Sequence, residues 1–340
     1  MLLVASALAA SCANLSGLSG SPGDDGGRDG TASKDGSKSG SGSGSGIKKD
    51  AGHDSGMDSG STSGSGSGSS SGSGSGSESS SGGLDAGALA TCPTPLPTGN
   101  VTSGGHTWTL IGQDDFTKDA ALGSFGTSNA ATVVYTGDHG LGWIEYPDGW
   151  PSTFSNGAVG YEPSQVQSVH DGVLDWYLHS VNGNPVAANP SPLPGGNQYQ
   201  TYGRYSVCLR LEYDDAHNLT DFVDAFLLWP ESDSNWQFAE SDYPNANLNG
   251  TSFDAFAHYG GAGAQDYFST ASTDLTQWHV YTQEWGPGFR SYYFDGTLIG
   301  TSTNQVWSMQ ERWQLQAEPT GQNDGDSGHQ YVDWAAIWSY

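Results

Sequence analysis

The stretch "NWQFAESDYPN", Asn235 to Asn245, decides how this chain is read. Read as a strand, "AESDY" projects Glu240 and Asp242 from one face, with Cα atoms roughly 6.5–7 Å apart. Two acids that close titrate as a coupled pair, and each modulates the other's charge. Trp236 stands just before them and Trp229 a few residues earlier, in "LLWP". Flat indole faces beside paired carboxylates are what a groove for sugar rings requires. Pro244 has no N–H, which suits a bulge or strand end rather than a mid-sheet position.

Outward from this stretch the text reads as strands. "GVLDWYLHS", "RYSVCLRLE", "DAFLLWP", "SFDAFAHYG", "WHVYTQEWG", "SYYFDGTLIG" and "YVDWAAIWSY" are short β-branched and aromatic runs separated by Gly, Pro, Asn and Asp. Such spacing predicts an all-β, antiparallel β-sandwich or barrel. Asp295-Gly296 between two apolar arms predicts a hairpin. In "RYSVCLRLE", Val207, Leu209 and Leu211 fall on the face suited to the space between two sheets, and Ser206, Cys208 and Arg210 on the other. The same alternation puts Asp254, Phe256 and His258 together.

The chain of 340 residues divides into three parts. Residues 1–12, "MLLVASALAASC", are an apolar run too short to span a bilayer, with a length suited to a secretory signal. Residues 13–92 are mostly Ser and Gly; they offer too little apolar surface to offset chain entropy and read as a disordered tether. Residues 93–340 hold all 12 Trp and form the folded domain. "AASC" resembles a bacterial lipobox, which would make Cys12 a lipid anchor on an exported surface protein; otherwise the protein is secreted. Cys92 and Cys208 read either as a bridge or as two free thiols.

Formal charge is −27. The permanent cations of the folded part are Lys118, Arg204, Arg210, Arg290 and Arg312. Phosphate contacts need clustered Lys and Arg, so nucleic acid is excluded as a partner. Anionic polysaccharides are disfavoured for the same reason, whereas a neutral polymer is not repelled. The nine His show no spacing of a catalytic metal site.

The acid-bearing stretch resembles the catalytic region of glycoside hydrolase family 16, the laminarinase and lichenase-like β-jelly rolls. The resemblance runs from about Thr107 to Tyr340, through "DDFTKDAALGSF", "YGRYSVCLRL", "LLWP", "QWHVYTQEWGPGFRSYYFDGTLIG" and "VDWAAIWSY". It implies a monomeric jelly roll that hydrolyses a neutral β-glucan-type polysaccharide with retention and without a required cofactor. By position, Glu240 matches the nucleophile and Asp242 its helper. Trp229 and Trp236 stand as substrate-binding aromatics, His258 as a groove-facing histidine and Glu318 at the groove's far end. Asp333 matches the position of a structural calcium ligand. The family's acid–base glutamate falls on Asn245 in the bulged form of the motif and on Pro244 in the unbulged form, and neither can protonate a leaving group. Ala239, where the family prefers Gly, Ser241, where it prefers an apolar residue, and a Trp236-to-Glu240 interval one residue short are further departures. Loss of a general acid costs about 10²–10⁴ in rate. Two other readings stand beside the hydrolase: a non-catalytic carbohydrate-binding surface module, and a purely structural envelope protein.

Overall fold

A computed structural model describes residues 91–152, 159–214, 219–261 and 263–340. The leader, Cys12 and nearly all of the tether lie outside the described residues.

Two antiparallel sheets carry the fold. The larger runs in the order Val101–Ser103, His106–Asp114, Gly328–Ser339, Gly203–Tyr213, His279–Gly286, Phe289–Phe294, Thr297–Ser302. Its long strand Gly328–Ser339 pairs with Val173–Val181 along its first half and with His106–Asp114 along its second. The second sheet has five strands, in the order Ala264–Ser269, Asp254–Gly260, Ser241–Asn247, Phe222–Pro230, Glu311–Pro319. This is a sandwich, one of the two architectures that the strand pattern predicts, and it is the jelly roll that the resemblance implies.

Alternation decides what lies between the sheets. Val207, Leu209 and Leu211 from the large sheet meet Phe222, Phe226, Leu228 and Leu315 from the other in one buried cluster. Area removed from water at about 25 cal/mol per Å² makes such a cluster the main favourable contribution to folding. On the far face of the large sheet, Cys208, Trp334 and Trp338 form a separate cluster with Trp108. Cys92 is disulfide-bonded to Cys208 there, so the open choice between bridge and thiols resolves as a bridge. The expected hairpin turns at Asp295-Gly296, both at positive φ (46° and 74°). That left-handed pair suits the right-handed twist of the flanking strands.

One local expectation needs correcting. Asp233–Asn235 and Trp236–Ala239 are successive helical turns, and the strand begins only at Ser241. Gln and Ala favour helix, and the Glu240 N–H donates to the Trp236 carbonyl at 3.0 Å. The chain becomes extended at Glu240 (φ −61°, ψ 142°), so the acid itself still leads into the strand.

Candidate functional site

The face of the five-stranded sheet turned away from the core carries the predicted site. On its strand Phe222–Pro230, Ala225, Leu227 and Trp229 form an apolar floor of their own, with Trp236 packed against it. In register, Leu227 is opposite Asp242, and Ala225 is opposite Asn245. One strand further out, Asp242 is opposite Phe256 and Asn245 is opposite Asp254. The Glu240 carbonyl accepts the His258 N–H at 3.0 Å. Three rungs result: Glu240 with His258, Asp242 with Phe256, and Asn245 with Asp254.

The pairing shifts between Asp242 and Asn245, so two residues, Tyr243 and Pro244, fill the interval. Tyr243 points into the core, where its hydroxyl donates to the Tyr293 carbonyl at 2.9 Å. Pro244 follows it through a cis peptide bond. The bulge thus returns Asn245 to the same face as Asp242.

His258 binds the rungs together. Its Nε2 lies 3.5 Å from Asp242 Oδ2 and 3.9 Å from Glu240 Oε2, with all three side chains buried. Asp242 Oδ1 and His258 Nδ1 are buried and find no hydrogen-bond partner among the described residues. Buried polar atoms left unpaired are costly, which favours a polar ligand that reaches them. Each of the three offers one ligand atom within 4.8 Å of the others, so the same cluster could hold a metal ion.

The aromatics divide. Trp236 is half-buried and meets the His258 ring edge-on at 5.8 Å. Trp229 lies on the same face but is fully covered, with its Nε1 donating to Asp233 at 2.8 Å. As folded it has no open ring face; it supports the floor instead of offering a platform.

Glu318 lies two rows beyond Gln314 on the edge strand, in register with Val223. It is buried, accepting from Ser152 Oγ at 2.8 Å and from Gln316 Nε2 at 3.0 Å. It belongs to a polar row that the sequence reading missed. Arg312 Nε donates to Gln314 at 3.0 Å, Gln314 donates to the Tyr146 hydroxyl at 3.0 Å, and Asn189 donates to Gln316 at 3.2 Å. The i, i+2 spacing of Arg312, Gln314, Gln316 and Glu318 in "ERWQLQAEP" was the available signal. Tyr146 and Asn189 also line a pocket of about 400 Å³ beside this edge, which none of the acid trio reaches.

Asp333 stands elsewhere, on the large sheet. Burial pushes its carboxyl up to about 6, against the Cys92 N–H that it accepts, with Asp115 the other carboxylate in electrostatic reach. Calcium takes six to eight oxygens. Asp333 would supply one of these oxygens and backbone carbonyls the others, and no step below is routed through calcium.

No family model matches the chain, and no curated protein matches its sequence. Solved structures do share the fold. The endo-1,3-β-glucanase of Streptomyces sioyaensis superposes with a TM-score of 0.52 at 17% identity, covering 73% of this chain and 99% of that one. An endo-β-1,3-glucanase from Pyrococcus furiosus gives 0.52 at 15% identity, covering 72% and 98%. A LamA variant from Z. galactanivorans, in complex with laminaritriose and laminaritetraose, gives 0.50 at 16% identity, covering 68% and 99%. At these identities the likeness establishes the fold: a β-jelly roll of the kind seen in β-1,3-glucanases.

Proposed function

We propose that this protein is a glycoside hydrolase that cleaves a neutral β-glucan with retention of configuration. The observation that carries the reading is the buried Glu240–Asp242–His258 trio on the sheet face that opens away from the core, next to half-buried Trp236. The β-1,3-glucanases that share the fold support the substrate class. In this reading a Glu240 carboxylate oxygen attacks the anomeric carbon to form a glycosyl-enzyme, which water then hydrolyses. Asp242 and His258 hold Glu240 in place. Trp236 stacks on a sugar ring, and the unpaired Asp242 Oδ1 and His258 Nδ1 meet sugar hydroxyls. The scarcity of cations in the folded part favours an uncharged polymer.

Incubating the full chain with laminarin and measuring new reducing ends tests the reading. Turnover that disappears in Glu240→Gln is expected, because a carboxamide cannot form the glycosyl-enzyme. A specific observation favours the binding-module alternative, namely an amide at Asn245 in the third position of the cleft row. Tight laminarin binding by both proteins with no reducing ends from either would establish it.

The proposal extends to location: an exported protein, lipid-anchored through Cys12. The Cys92–Cys208 bond supports an oxidising compartment. Cys12→Ser is expected to move the protein from the membrane fraction to the soluble one.

A further inference from the structure

The nucleophile's rung is complete, but Asn245 cannot donate a proton. Directly opposite Asn245 on the neighbouring strand stands Asp254, whose side chain therefore emerges on the same face. Directly opposed residues of an antiparallel pair have Cβ atoms about 4.5–5.5 Å apart. Asp254 is half-buried, and its Oδ1 accepts a hydrogen bond from the Tyr267 hydroxyl at 2.9 Å. The other carboxyls around this face are engaged elsewhere. Glu145 Oε1 accepts backbone N–H groups from Tyr146 at 2.8 Å and Asn189 at 2.7 Å. Asp233 holds the Trp229 indole, and Glu318 is tied to Ser152 and Gln316 at the far end of the edge strand.

We propose that Asp254 is the general acid–base residue of this site, moved one strand sideways from the position that Asn245 occupies. The inference rests on the hydrolase reading above. In the first step the protonated Asp254 carboxyl gives its proton to the glycosidic oxygen while the C1–O bond breaks and the Glu240–C1 bond forms. In the second, the Asp254 carboxylate takes a proton from water as the water oxygen bonds to C1 and Glu240 leaves. Atoms and charge balance without a co-reactant. Tyr267 is the positioning residue: its hydroxyl donates to Asp254 Oδ1 and fixes the carboxyl.

The test uses the full chain with two substrates. Laminarin needs its leaving oxygen protonated; a 2,4-dinitrophenyl β-glucoside does not. Asp254→Asn is expected to lower kcat on laminarin about 10²–10⁴-fold, to slow release of dinitrophenol less than about tenfold, and to remove the fall of kcat/KM at high pH. Added azide should yield β-glucosyl azide in this variant. Tyr267→Phe should lower kcat on laminarin with KM and dinitrophenol release little changed, a split that loss of packing alone would not give. Asn245→Glu in the Asp254→Asn background should recover laminarin hydrolysis, which also shows that the fold survives. If Asp254→Asn cleaves laminarin at the parent rate while Glu240→Gln is dead, the hydrolase reading stands and this assignment is wrong. If the parent protein is inert on both substrates, the hydrolase reading fails and the assignment falls with it.

Discussion

Arg290 and Glu311 form an ion pair at 2.5 Å inside the sandwich, and the same guanidinium Nη2 donates to the Ala239 carbonyl at 2.9 Å. Ala239 directly precedes Glu240, so the pair ties the turn that presents the proposed nucleophile to the interior of the large sheet. Removing one partner strands a buried charge, at about 3–5 kcal/mol. Arg290→Met should therefore lower stability in urea melts by that order. Arg290→Met with Glu311→Leu should regain most of it while laminarin turnover stays low, because the Ala239 carbonyl still lacks its donor. Full recovery of turnover in the double variant would show that the clamp does not position Glu240.

The two tryptophans of the site should separate by assay. Trp236→Ala is expected to weaken laminarin binding in affinity electrophoresis with little loss of stability, since the ring is half-buried. Trp229→Ala removes a fully buried ring and should cost about 3–5 kcal/mol in a denaturant melt. Equal binding by Trp236→Ala and parent would remove that ring from the substrate contact.

Stability should depend on pH through Asp114. Burial pushes its carboxyl up to about 6, against hydrogen bonds from Trp143 Nε1 and the Phe116 N–H. Its folded pKa lies above its unfolded value near 4, so the folded state holds the proton more tightly. Its contribution is therefore most favourable below about pH 4 and is lost as pH rises through about 6. The full shift corresponds to about 2–3 kcal/mol. Asp114→Asn should flatten the slope of unfolding free energy between pH 4 and 6, measured by urea titration at fixed ionic strength. An unchanged slope would mean that Asp114 is charged throughout.

The bond between Cys92 and Cys208 closes a loop with a sequence separation of 116. A cross-link of that length stabilises by about 2–5 kcal/mol, chiefly by restricting the unfolded chain. Changing both cysteines to serine should lower the denaturation midpoint accordingly while leaving laminarin binding intact, because the bridge lies on the far face from the acid trio. A loss of binding together with stability would mean that the two faces are coupled.

The amino-acid sequence by itself determined the strands, the face that each residue presents and the hairpin at Asp295-Gly296. Those depend on period-two alternation and turn chemistry, both local in the chain. It also put Glu240 and Asp242 on one side, and grouped His258 with Asp254 and Phe256. Which strand lies beside which was decided only in three dimensions, because pairing between residues far apart in sequence leaves no local mark. Tertiary packing covered Trp229 and joined Glu318 to Ser152, which lies 166 residues away in the chain. It also set Asp254 opposite Asn245. A loop between the two strands separates them in sequence, and the bulge at Tyr243-Pro244 fixes which residues face each other. Register is a property of two strands held by their hydrogen bonds, and only the folded sheet supplies it.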